Sequence, residues 1–343
     1  MRGWDQATIG GGGVPARVLM ETAGRAAAQV VQRLHPAGRV VAAVGGGNNG
    51  GDALVALRTL AAWGRDVAAV VVGARAPEPA LLHGWDVPRV PAGEMAGAFA
   101  GAGVVIDGVL GTGARGAPRA AEAAAIEAMN ACGRPVVALD GPSGVDMTTG
   151  GVAGAAVRAE TTVTFGPPKR GLLLFPGRAH AGWIVAVEIG LEPRDAEAFA
   201  AALLTPGWAR GHLPPVDANV HKGTMGLVAV LAGHPGMAGA AVLAGWGAMR
   251  AGAGKVRMLS PEANRVVIQT QLPEALFADR DGGALADAVA PAAALAAGPG
   301  MGTGDGDLAV FRRALAATEA PVLLDADALT LLARDPALRG DVR

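Results

Sequence analysis

The sequence predicts an α/β protein made of two successive parallel-sheet units, the first of them Rossmann-like and three-layered. Two observations carry this. Short apolar runs recur at 40–44, 67–72, 104–106, 136–139 and 184–187, joined by a threonine-rich run at 161–165, and helical spacing appears between several of them, as strands covered on both faces require. Three of these runs end in a polar cluster or an aspartate followed by glycine, at the carboxyl edge where open parallel sheets bind ligands. A chain of 343 residues is long enough for two such units with sizeable cores.

Leu19, Ala23, Ala26, Val30 and Leu34 recur at helical spacing and give an amphipathic first helix. Glu21 lies in its first turns and either complements the helix dipole or belongs to a site. The strand at 40–44 runs into Gly45-Gly46-Gly47-Asn48-Asn49-Gly50-Gly51-Asp52, and a helix is expected over 53–63, stopped by Gly64. Gly45, Gly47 and Gly50 satisfy G-x-G-x-x-G, and a helix N-terminus after a strand favours an anion. A dinucleotide-binding half would then place an acid at the end of the next strand, to hold a ribose hydroxyl. Here that strand ends in Gly73-Ala74-Arg75, and Asp66 stands at its other end, which argues against an ordinary nicotinamide dehydrogenase. Arg75 could meet a 2′-phosphate or simply be solvated.

The strand at 104–106 ends in Asp107 and a glycine loop, Gly108 to Gly116. A helix over 120–129 follows, then the strand at 136–139, ending in Asp140-Gly141-Pro142-Ser143-Gly144. In a parallel sheet these three strand ends converge, bringing Asn48, Asn49 and Asp52 towards Asp107 and towards Asp140 and Ser143. Oxygen ligands without Cys or His suit a hard cation, and their weak net charge suits a monovalent one. Lys169, in the loop between the last two strands, reads as solvated. The pattern weakens between 190 and 220, and the boundary is placed between 205 and 206. Strands then restart at 227–231, 256–259, 293–297 and 322–324, with a helix near 241–250 and glycine loops after the strands. His221 and His234 read as solvated loop residues.

Composition narrows the function. Hydrophobic residues make up 51%, the formal net charge is -1, and tyrosine is absent, so neither nucleic acid nor a membrane surface is an expected partner. The single cysteine, Cys132, excludes an intrachain disulfide framework and a cysteine zinc cluster, and reads as a small buried hydrophobe. No targeting segment and no apolar span of membrane length stand out, and a cytoplasmic protein is expected.

The motifs G-N-N-G-G-D, D-G-V-L-G-T-G and D-G-P-S-G-V-D resemble the NAD(P)H-hydrate epimerase domain. H-K-G-T-M-G, G-M-A-G-A-A, G-P-G-M-G and D-A-D-A-L resemble the ribokinase-like, ADP-dependent NAD(P)H-hydrate dehydratase domain. Together they are similar to the bifunctional NAD(P)H-hydrate repair enzymes. The resemblance implies that Asn48, Asn49, Gly50, Gly51 and Asp52, with Gly111, Thr112, Gly113, Ala114, Arg115, Gly116 and Ala117, hold the hydrated cofactor, NADHX or NADPHX. It further implies K+ near Asn49, Asp107 and Ser143, Asp140 at the reacting ring, and a homo-oligomer. Ala240, Gly300 and Gly302 match substrate-side positions of the dehydratase, whose co-reactant is ADP, with Mg2+. A ribokinase-like domain needs more chain than follows Val220, so its sheet is expected to be incomplete and dehydration doubtful. Gly302-Thr303-Gly304-Asp305 matches the family's G-T-G-D in spelling but not in place, so Asp305 is not taken as a catalytic acid. The rival readings are a non-catalytic scaffold on the epimerase fold and a small-molecule kinase.

Overall fold

The computed structural model describes residues 2–11, 13–73, 79–192, 201–213 and 215–342. Arg75 lies outside them. The chain divides into two compact units, Met1–Leu204 and Thr205–Arg343.

In the first unit, helices α1 (Arg2–Gly10) and α2 (Ala16–Leu34) precede β1 (Val40–Val44), α3 (Asn48–Ala62), β2 (Val67–Val71), β3 (Arg89–Val90) and α4 (Met95–Ala100). Then come β4 (Val104–Gly108), α5 (Ala120–Ala131), β5 (Val136–Leu139), β6 (Thr161–Phe165) and β7 (Trp183–Val187). The sheet is parallel throughout, in the order β3-β2-β1-β4-β5-β6-β7. Alternate side chains of β1 serve opposite faces. Val40, Ala42 and Val44 pack with α2 and α3, while Val41 and Ala43 join a cluster with Phe99 of α4 and Ile126 and Met129 of α5. Both faces are thus covered, which is why the run is apolar rather than alternating.

The chain order reverses direction between β1 and β4, and the crevice at such a reversal is where doubly wound sheets take ligands. Two glycines of the opening motif make the reversal sterically feasible. A Cβ on Gly45 would lie 2.0 Å from the Val109 carbonyl oxygen, and one on Gly50 would lie 1.8 Å from that of Gly45. The expected helix start at 53 is corrected: α3 begins at Asn48, so the polar motif forms its first turns. Glu21 is not at a helix end; it pairs with Arg17 and Arg58. Burial alone would raise its carboxyl, but the hydrogen bonds from Arg58 and Arg17 outweigh that and hold it below the usual carboxylate range. Cys132 caps the end of α5, only half-buried, with its thiol donating to the Met129 carbonyl at 3.0 Å.

The second unit contains α6 (Pro206–His212), β8 (Leu227–Leu231), α7 (Ala238–Arg250), β9 (Lys255–Ser260), α8 (Arg265–Gln271) and β10 (Leu276–Asp279). It continues with α9 (Leu285–Val289), β11 (Ala294–Ala297), α10 (Asp305–Ala316), β12 (Val322–Leu324) and α11 (Asp327–Arg334). The sheet order is β10-β9-β8-β11-β12, again parallel. The sequence expects an incomplete sheet here, and the strands that are present form an ordered one. Five strands pair in register, with separate cores on the two faces built around Leu231, Leu295 and Phe311 and around Val230, Met258 and Ile268.

Candidate active site

The first unit holds a cleft of about 820 Å³ at the carboxyl ends of its strands, within the range of small-molecule sites. Asn48, Asn49 and Asp52 from the start of α3, Gly111 to Ala114 from the loop after β4, and Asp140 from the end of β5 all line it. Met20 and Leu19 of α2, with Phe165 and Ile189, supply apolar wall. Gly50 and Gly51 are buried inside α3 instead, where a Cβ on Gly51 would strike the Met20 sulfur at 2.6 Å. Their role is close packing beneath the cleft. Arg115, Gly116 and Ala117 line a second, neighbouring hollow of about 540 Å³, where Arg115 faces Asp146 at 3.4 Å.

Beneath the cleft runs a continuous polar chain. The Asn49 side-chain amide donates to the Leu110 carbonyl at 2.9 Å, and the Leu110 N–H donates to Ser143 Oγ at 2.8 Å. Ser143 Oγ in turn donates to Asp107 Oδ1 at 2.6 Å, and the Ser143 N–H donates to Asp107 Oδ2 at 2.8 Å. Asp107 is fully buried, which pushes its carboxyl up to about 6 against the pull of these bonds. Asn49 Oδ1, also buried, accepts no hydrogen bond. A buried acceptor without a donor is costly, and a cation answers that cost as a donor would. The three residues expected to share an ion are thus linked through Leu110 in one hydrogen-bonded chain, and Asn49 Oδ1 is left without a partner. No cluster of three or more His, Cys, Asp or Glu able to hold a metal occurs among the described residues.

Asp140 is unusual in its backbone. Its φ is 63°, in the left-handed region that costs a non-glycine residue about 1 kcal/mol or more, though aspartate tolerates it better than most. Its N–H still donates to the Val163 carbonyl at 2.7 Å, continuing the β5–β6 pairing, so the ladder enforces the turn. Lys169 is the residue the sequence misplaced. Rather than being solvated, it is buried and paired with Asp140. Nothing in the P-P-K-R-G spelling signals this, because the partner lies 29 positions away.

In the second unit, Ala240 and Gly300 meet: a Cβ on Gly300 would lie 2.8 Å from that of Ala240. Gly300 and Gly302 have φ of 58° and 93°, and Gly302 N–H donates to Asp327 Oδ2 at 2.9 Å. His221 is exposed as expected, but His234 is half-buried against the glycine loop; a Cβ on Gly302 would lie 2.9 Å from its ring. Asp305 opens α10 and pairs with Arg334, consistent with a helix-end role.

Fold and site together define a two-unit, doubly wound α/β enzyme with a nucleotide-sized cleft at the first sheet's reversal. Two protein families match the chain: the one described as YjeF-related protein N-terminus over residues 16–171, and the one described as NAD(P)H-hydrate dehydratase over residues 228–342. The bifunctional NAD(P)H-hydrate repair enzyme Nnr of Moorella thermoacetica is 32% identical over 96% of this chain and 68% of its own length. The NAD(P)H-hydrate epimerase of Limosilactobacillus fermentum is 37% identical over 55% of this chain and 93% of its own. Among solved structures, the yeast protein YNL200c has a TM-score of 0.51 at 22% identity, covering 58% of this chain and 90% of that one, a likeness of fold. The ADP/ATP-dependent NAD(P)H-hydrate dehydratase of Bacillus subtilis, crystallised with ATP and Mg2+, is 39% identical over 36% of this chain and 46% of its own, with a TM-score of 0.33. The chain belongs to the bifunctional NAD(P)H-hydrate repair enzyme family and carries both of its domains. The doubt over its second half is thus not borne out at the level of the family. The chain spans between 48% and 69% of the length of the bifunctional relatives it matches.

Proposed function

We propose that the first unit interconverts the R and S forms of NADHX and NADPHX, and that Asp140 performs the proton transfers. The single observation that carries this is a carboxylate held at the carboxyl end of a strand, on the wall of the cleft, by an enforced left-handed turn. The substrate carries a hydroxyl on C6 of its nicotinamide ring. The ring nitrogen's electron pair can expel that hydroxyl, which leaves as water after taking a proton, and a ring cation results. Water then adds to the opposite face of C6 and gives up a proton. Asp140 can donate the first proton and accept the last, and between the two its carboxylate stabilises the cation.

Asn49 with its unsatisfied Oδ1, Asp107 and Ser143 would hold K+. Bound there, it would supply positive charge beside the loops that line the cleft. The second unit would serve the ADP-dependent dehydration of the S form, with Mg2+ accompanying the nucleotide and with Ala240, Gly300 and Gly302 against the substrate. A homo-oligomer and a cytoplasmic location belong to this same reading; no described helix is long and apolar enough to cross a membrane.

The decisive experiment follows one purified epimer by chromatography in potassium and in sodium buffers. The wild-type protein is expected to equilibrate the epimers faster in potassium. Asp140→Asn is expected to lower the rate by about 10³-fold while the circular dichroism stays unchanged. An active Asp140→Asn protein would remove the assignment.

A further inference from the structure

The burial of Lys169 is unexplained by packing. It is 7% exposed, and its side chain 5%. Its ammonium donates to Asp140 Oδ1, to Thr164 Oγ1 at 3.0 Å and to the Phe165 carbonyl at 2.7 Å, so all three N–H groups are used. Taking a lysine and an aspartate out of water together adds little to stability, whereas a solvated lysine would cost nothing. The arrangement therefore calls for a reason other than folding.

The geometry at Asp140 supplies one. Oδ1 receives the Lys169 ammonium and the Phe165 N–H, the latter at 3.4 Å. Oδ2 accepts no hydrogen bond from any described residue, and Asp140 lines the cleft while Lys169 does not. One carboxylate oxygen is tied to the β6 end and the other is left for substrate. We infer that Lys169 is a positioning residue for the epimerisation: it fixes the plane of the Asp140 carboxylate and offsets its charge, so that Oδ2 alone faces the reacting ring. Thr164 and the Phe165 carbonyl, both on β6, aim the ammonium. This rests on the reading of Asp140 as the acid–base group, and it names the device that makes one oxygen available.

The test uses the full chain and a single purified epimer of NADHX. Lys169→Met is expected to lower kcat about 100-fold with KM within about twofold, since an interaction made through the acid–base group is lost in the transition state. Lys169→Arg should recover at least about tenfold of that loss, because it restores a cation in reach of Oδ1. The Asp140→Asn/Lys169→Met double variant should be no slower than Asp140→Asn alone, as residues acting through one another are not additive. A purely structural lysine would give losses that multiply. Thr164→Val keeps both charges and the side-chain volume, and so serves if Lys169→Met fails to fold; its kcat should fall about threefold or more, measured at a temperature where the variant is still fully folded. An unchanged kcat in Lys169→Met or Thr164→Val, a loss confined to KM, or multiplying losses in the double variant would overturn the inference. A dead Asp140→Asn with a near-wild-type Lys169→Met removes the lysine's role alone, whereas an active Asp140→Asn removes the underlying assignment.

Discussion

The two units share a strand order and differ in what they place at its edge. The first five positions read β3-β2-β1-β4-β5 in one sheet and β10-β9-β8-β11-β12 in the other, the same winding from the third strand to the fifth. In each, the fifth strand runs into a non-glycine residue with positive φ: Asp140 at 63° after β5, and Ala326 at 46° shortly after β12. Positive φ thus recurs just beyond the same strand of the winding in both units. What the winding does not set is the side chain. At 140 it is a carboxylate with one oxygen open to a cleft, and at 326 it is a methyl group. Most of the polar groups named around the second unit's loops are spent on protein. Ser260 accepts from the Asn264 amide at 3.0 Å, Asp327 holds Gly302, and Arg280 joins the Met301 carbonyl at 2.6 Å to Asp307 at 2.7 Å. Among the described residues, Arg280 Nε alone stays unsatisfied there, a donor 3.6 Å from the Asp281 carboxylate, whereas at the first unit's β1–β4 reversal the group left over is an acceptor, Asn49 Oδ1. The fold offers an edge, and residual valence there marks the chemistry.

Breaking the edge itself should have the largest effect, and should do so in both units. A Cβ on Gly50 would lie 1.8 Å from the Gly45 oxygen, and one on Gly298 would lie 1.7 Å from the Asp325 oxygen. Gly50→Ala and Gly298→Ala are each expected to cost about 3 kcal/mol or more and to abolish the cooperative melting of the affected unit. Gly47→Ala, with open space around the new Cβ, should melt as the wild type does, which calorimetry can check. Next comes a change that separates the units. Arg280→Met strands the buried Asp307 and should destabilise the second unit by about 3 kcal/mol, leaving epimerisation untouched.

A smaller, pH-dependent effect should appear in the first unit alone. Burial raises Asp107 from 3.8 to about 6, so its contribution to stability is fully present below pH 3.8 and is lost as pH rises through about 6. Without potassium, the melting temperature of that unit should therefore decline over this window, apart from other groups. Potassium should reverse the decline above about pH 6, where Asp107 is ionised, and do little below it. Melting curves at fixed ionic strength with potassium or sodium would decide this, and equal responses to the two ions would remove the ion site. The smallest change is expected from Ala326→Gly, which relieves the left-handed strain and should stabilise the second unit by about 1 kcal/mol or less in urea titrations.

Much of this was legible in the residues. Strands β1, β5 and β8 fall where their apolar runs end, because a strand covered on both faces has no polar position to blur its limits. The convergence of Asn49, Asp107 and Ser143 followed from parallel order alone, since that order puts every carboxyl end on one edge. Strands β3 and β10 and helix α8 escaped notice, being short, partly exposed and without a clean period. The start of α3 was placed too late because asparagine and glycine are poor helix formers; tertiary packing of Gly50 against Gly45 overrides that preference.

By itself, then, the sequence determined the two doubly wound units, the oxygen-lined strand ends and the family to which the chain belongs. Only the tertiary structure decided how valences are shared at those ends: that Ser143 bonds both oxygens of Asp107, that Asn49 Oδ1 is left unsatisfied, and that Lys169 leaves solvent to take one oxygen of Asp140. The physical reason is locality. Periodicity and turn chemistry act between near neighbours in the chain, whereas a hydrogen bond between residues 140 and 169 exists only once β5 and β6 have paired.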